Sequence, residues 1–118
     1  MRVTASWPRP DVCLVRLAGE LDMRTAPLVR DDLRMQSAAG PAHLVLDLTA
    51  VDLIAAAGIS LLVMAMRNEQ GIRGRLLVDA RSEGTVLRIL RPTGVAALLP
   101  VRHGVAEALD DVDATRRD

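Results

Sequence analysis

The chain has 118 residues, half of them hydrophobic, and its 15 basic residues, all arginine, are balanced by 15 acids for a net charge of zero. That length suffices for one domain with its own core, and the even charge balance excludes a surface built to seek polyanions, so direct nucleic-acid binding is not expected. A lone Cys13 excludes an internal disulfide, and without a basic stretch leading into an apolar run near Met1 no secretory signal is expected, which predicts a cytoplasmic protein.

Trp7 is the only aromatic residue, so the core must come from Leu, Val, Ile, Ala and Met. Val12 to Leu17 has strand composition, and Ala18-Gly19 turns it toward a short second strand at Glu20-Leu21-Asp22, predicting an opening hairpin. Thr25 is placed to cap a helix with Pro27 in its first turn, continuing through Leu28, Asp31, Asp32 and Leu33 to about Ser37, where Gly40-Pro41 stops it. His43 to Leu48 is nearly continuous and apolar, the pattern of a central strand covered on both faces.

The longest apolar run, Leu53 to Met66, is interrupted by Gly58 and Ser60 and is too short to span a bilayer, so a buried helix and no membrane insertion are expected. From Ala57 to about Gln70 the residues Ile59, Leu62, Val63 and Met66 recur at helical spacing as the core stripe. Gly71 and Gly74 bracket a turn into a strand at Arg75 to Ala80, after which Ser82 caps a helix through Val86, Leu87 and Leu90 that ends at Pro92 and Gly94. Leu98 to Val101 reads as an edge strand, since Pro100 cannot donate to a ladder, and Val105 to Leu109 begins a last helix that frays from Asp110. Short connections between alternating strands and helices imply a layered α/β domain of about five strands and four helices. Its expected span is residues 10–110, with residues 1–9 as an N-terminal extension and 111–118 as a flexible tail.

Chemistry-bearing candidates are few. His43 and His103 have no metal-ligand spacing with each other or with Cys13, so no metal site is expected, and His43 reads as a surface or strand-edge residue. Cys13, in an apolar strand, reads as a small buried hydrophobe. The adjacent pairs Asp31-Asp32 and Asp110-Asp111 point in different directions and cannot share a proton. Gly71-Ile72-Arg73-Gly74 lacks the lysine and hydroxyl of a phosphate loop, so it reads as a turn and no cofactor is expected. Asp47 and Asp52 flank the loop after the central strand, where open α/β sheets place their sites, although turn and capping roles explain them equally well. No nucleophile, base and oxyanion donor converge, so no enzyme is expected.

Five segments in order, Gly19-Glu20-Leu21-Asp22, Val45-Leu46-Asp47-Leu48-Thr49, Val51-Asp52-Leu53-Ile54 followed after three residues by Gly58-Ile59, Thr93-Gly94, and Leu98-Leu99-Pro100-Val101, resemble the STAS domain family over about residues 10–110. The resemblance implies the STAS fold, a mixed sheet layered with helices, and a protein-interaction module of the kind that includes bacterial anti-sigma factor antagonists. In those antagonists the corner before the second helix usually reads apolar-Asp-Ser-Ser-Gly-apolar, and its first serine is phosphorylated by an anti-sigma factor that is also a kinase. Aligned on Gly58, this chain puts Ala55 where the acid stands and Ala56 at the phosphoacceptor position, so the acceptor is lost.

A phosphate adds about −1.5 to −2 charge to a contact surface, and alanine cannot carry one. The resemblance therefore implies an antagonist-like module that binds a kinase-type anti-sigma factor without the usual switch. Its contact face would comprise Asp22, Thr25, Asp52, Ala55, Ala56, Ala57, Gly58, Ile59 and Ser60, extended one turn by Met64. The alanines also remove capping oxygens, a change that typically costs ~1 kcal/mol of helix stability. Thr49 and Ser60 are the nearest hydroxyls for a relocated phosphosite. Two other functions stay open: an accessory subunit of a membrane transporter, and a sensor of a nucleotide or lipid near Asp47, Thr49 and Asp52. A homodimer also stays open.

Overall fold

Buried aliphatic runs pair into one sheet. In a computed structural model describing residues 1–82 and 84–117, five strands stand side by side in chain order: β1 (Arg2–Arg9), β2 (Val12–Leu21), β3 (His43–Ile54), β4 (Arg75–Asp79) and β5 (Val101–Arg102). β1 is antiparallel to β2, and the other pairings are parallel. Helices α1 (Ala26–Ser37), α2 (Ala56–Met66) and α3 (Thr85–Leu90) carry the chain between consecutive parallel strands, and α4 (Val105–Arg117) follows β5. The result is the mixed α/β architecture that the strand and helix pattern implies.

β3 is central, and all of His43 to Leu48 is buried because helices cover both of its faces. On one face, Val29 and Leu33 of α1, Leu61 and Leu62 of α2, and Leu87 and Leu90 of α3 pack onto Val15, Leu46 and Val78. On the other, Ala108 and Val112 of α4 cover Val12, Leu14, Val45 and Leu77. Charge adds to that second attachment: Asp111 lies 3.3 Å from Arg75 and 3.2 Å from Arg102.

Several expectations need correction. The opening hairpin is β1 with β2, so residues expected as an extension supply an edge strand, while Glu20 and Leu21 continue β2. No loop separates Asp47 from Asp52: β3 runs on to Ile54 paired with β2, absorbing two irregularities in register beside Leu17 and between Gly19 and Glu20. Thr25 and Ser82 do not cap through their side chains; Thr25 precedes α1 in helical geometry, and Gly84 precedes α3. α2 ends at Met66, and its buried residues are Gly58, Leu61, Leu62 and Ala65. Of the expected stripe, Ile59, Val63 and Met66 are only half-buried. Leu98 to Pro100 is not strand, since Val95–Ala97 forms a 3₁₀ turn and β5 starts at Val101. The last helix does not fray at Asp110, because Val112 is fully buried against the sheet and Asp111 is ion-paired. Asp118, in the expected tail, lies outside the described residues.

Cys13 is buried as expected, and burial, reinforced by Asp32, pushes its thiol up to about 11, far from thiolate reactivity. His43 is neither a surface nor an edge residue: it is 7% exposed in the central strand, and its Nδ1 has no partner among the described residues. Burial first, then the Arg75 charge, lowers its pKa below the ordinary 6.5, with Asp111 opposing. A base whose folded pKa is depressed binds fewer protons folded than unfolded, so stability falls as pH drops below the unfolded value. Thermal unfolding followed from about pH 7.5 to about pH 5.5 is expected to show a loss of Tm that His43→Leu diminishes; an unchanged pH slope in the variant would assign the loss to other groups.

Candidate functional site

The sheet itself brings the starts of α1 and α2 together. Leu21 and Ile54 end β2 and β3 in register, and the Ala55 amide donates to the Leu21 carbonyl at 2.8 Å. Asp22 and Ala55 therefore leave the sheet side by side.

The first start is held by a compact polar turn. The Asp22 amide donates to Thr25 Oγ1 at 2.9 Å, and that hydroxyl donates to the Glu20 carbonyl at 2.7 Å. Asp22 Oδ1 accepts from the amides of Arg24 and Thr25 at 2.9 and 3.1 Å. The Thr25 amide bond is the main cause that holds the Asp22 carboxyl below its ordinary 3.8. Both side chains thus serve the turn before they serve any partner.

The second start has no side-chain cap. Ala55 is extended, with φ −100° and ψ 177°, and its carbonyl accepts from Gly58 and Ile59 at 2.9 and 3.0 Å. The start is held instead by the Ala55–Leu21 bond and by close packing at Gly58. A Cβ there would stand 2.7 Å from Leu21 Cγ and 2.9 Å from Ile54 Cγ1. This glycine is needed for proximity, not for an unusual backbone angle.

Between the two helices lies an open groove of about 380 Å³, lined by Met23, Pro27 and Arg30 on one side and Ala57, Ser60 and Met64 on the other, with Ala26 and Leu61 below. Of the expected contact residues, Ala57, Ser60 and Met64 line this groove. Ala56 is exposed one turn before Ser60, on the same helix face. Asp52 is exposed at the end of β3, whereas Gly58 is buried and Ile59 packs against the core. Sequence reasoning missed Met23, Pro27 and Arg30 as groove residues; Met23 is 79% exposed in the polar turn.

A second polar cluster lies on the α4 face of the sheet. Asp47 Oδ1 accepts from the Thr49 hydroxyl at 2.6 Å and the Thr49 amide at 2.9 Å, while Asp47 Oδ2 is 3.2 Å from Arg16 Nε. Asp79 pairs in register with Asp47, is 3% exposed, and has an Oδ1 without a partner among the described residues. Asp52 is not part of this cluster. Among the described residues, no group of three or more His, Cys, Asp or Glu side chains is placed to hold a metal ion, and no helix is long and apolar enough to cross a membrane.

Burial first, then the Asp47 charge, raises the Asp79 pKa above its ordinary 3.8, with the Gly104 amide opposing. An acid with a raised folded pKa loses stability as pH climbs from the unfolded value through the folded one. Asp79→Asn removes the charge and keeps the shape. It is expected to be more stable than the native chain at neutral pH by about 1–3 kcal/mol. That advantage is expected to shrink toward about pH 4, where the native carboxyl takes up its proton. Denaturant unfolding at both pH values measures it, and a less stable variant at neutral pH would show that the charge is compensated.

A family model described as the STAS domain matches residues 8–108. Across 95% of this chain and 93% of the other, the structure resembles an anti-sigma factor antagonist from Mycobacterium paratuberculosis, with 28% identity and a TM-score of 0.80. The unphosphorylated anti-sigma factor antagonist SpoIIAA is 18% identical over 96% of this chain and 97% of its own, with a TM-score of 0.75. The phosphorylated form of the Bacillus cell fate determinant SpoIIAA is also 18% identical, covering 94% and 99%, with a TM-score of 0.65. At 18% identity these last two likenesses establish shared fold alone. No curated protein matches the chain.

Proposed function

The chain belongs to the STAS domain family, and we propose that within it the protein acts as an anti-sigma factor antagonist, a non-catalytic module that binds a kinase-type anti-sigma factor and so regulates sigma-factor-dependent transcription in the cytoplasm. The observation that carries this reading is the groove between the starts of α1 and α2, bordered by the alanine corner, in a chain that follows an anti-sigma factor antagonist over nearly its whole length.

The groove offers a partner the apolar surface of Met23, Pro27, Ala57 and Met64. Ala56 and Ala57 add little bulk, so a partner backbone can approach the first turn of α2 closely. In our reading Ala56 holds the place of a phosphoacceptor, and the contact persists because no phosphate ester forms there. Neither repulsion nor the desolvation of a phosphate then opposes the complex.

Titrating the purified protein into kinase-type anti-sigma factors by calorimetry tests the proposal. Saturable binding that Met64→Asp weakens is the expected result. Binding that Met64→Asp leaves unchanged would move the contact off this groove, and absence of binding to any such factor would remove the function.

A further inference from the structure

Four adjacent strands each place one charged residue in a single transverse row: Arg16, Asp47, Asp79 and Arg102 are in register from β2 to β5. The charges in that row are unevenly matched. Arg16 serves Asp47, and Arg102 turns away to Asp111 on α4. Asp79 keeps the Gly104 amide and feels the Arg16 and His103 charges, yet among the described residues its Oδ1 meets no donor, in a side chain that is 3% exposed. A buried carboxylate without a matching donor is unfavourable, and a chain retains such a group at the expense of stability unless something beyond its own residues satisfies it.

Beside Asp79 lies a cavity of about 360 Å³, lined also by Thr49, Arg81, Ser82 and His103. It sits at the carboxyl ends of parallel strands, where open α/β sheets take ligands, and its size suits a small molecule. Thr49 and Ser82 supply hydroxyls, and Arg81 is exposed to solvent. We propose that this cavity is a binding site for a small molecule of the amino-acid type, whose ammonium group meets Asp79 and whose carboxylate faces Arg81. The unmatched charge of the row is the anion, so a cation completes it. The cavity shares no lining residue with the α1–α2 groove, so the proposal does not depend on the function assigned to that groove.

Two probes that differ only in the ammonium group, 6-aminohexanoate and hexanoate, test the site by NMR titration of the intact chain. The Gly104 amide, bonded to Asp79, and the amides of Thr49 and Ser82 are the reporters. Saturable shifts with 6-aminohexanoate, at least about tenfold weaker in Asp79→Asn and absent with hexanoate, are expected. Thr49→Val, which removes a cavity hydroxyl and leaves Asp79 in place, is expected to weaken the same titration and serves if Asp79→Asn does not fold. No saturation at these reporters, equal affinity in a folded Asp79→Asn chain, unchanged affinity in Thr49→Val, or equal shifts with hexanoate would overturn the proposal.

Discussion

Ala56→Glu is expected to weaken binding to the anti-sigma factor by about 2 kcal/mol or more, roughly a thirtyfold loss, while leaving the fold intact. Ala56 is the first residue of α2 and is exposed, so the new side chain meets no core atom. A carboxylate at a helix N-terminus is favourable by about 0.3–1 kcal/mol, so the free protein should be unchanged or slightly more stable. Buried beneath a partner, the same carboxylate loses water without gaining a matched donor, and that cost appears in the complex alone. Calorimetric affinity and Tm measured on one preparation separate the two effects. An unchanged affinity would place the interface elsewhere, and a lost affinity with a lowered Tm would signal damage to the fold.

Gly58→Ala is expected to destabilise the protein by about 1–2 kcal/mol, although alanine is the better helix former. Overpacking a filled core typically costs about 1–3 kcal/mol, and the helix-propensity gain returns at most about 1 kcal/mol. Packing should win because the atoms facing the new methyl cannot retreat. Leu21 is fully buried and Ile54 is 2% exposed, and both stand at the ends of paired strands. The same displacement would reach the Ala55–Leu21 bond that sets the groove, so the variant should also bind the partner more weakly. Thermal unfolding checks the first effect, and a raised Tm would mean that the helix start shifts to make room.

What the sequence disclosed and what it concealed follow from how far apart the interacting residues lie. Central strands such as His43 to Leu48 are legible because burial on both faces leaves an unbroken apolar run. β1 was missed because most of its residues are exposed and Pro8 interrupts its pattern, so little hydrophobic signal marks it as a strand. The core stripe of α2 was misplaced because apolar residues surround the helix, and its buried face includes the small residues Gly58 and Ala65, with no room for a Cβ at Gly58. The corner at Ala55 to Ala57 was legible only through its likeness to a family pattern. Met23, Pro27 and Arg30 enter the groove through the pairing of Leu21 with Ile54, a register that no local motif encodes. Asp79 was missed for the same reason: its neighbour Asp47 is adjacent in the sheet and distant in the chain.

We propose that this STAS-domain chain binds its partner without the phosphorylation switch. This is tested most directly by incubating the native chain and Ala56→Ser with the kinase-type anti-sigma factor and ATP, then measuring intact mass and complex by native mass spectrometry. The native chain is expected to keep its mass and stay bound, whereas Ala56→Ser gains one phosphate and dissociates. A phosphate added to the native chain, at Ser60 or at any other residue of the groove, together with loss of the complex, would contradict the account.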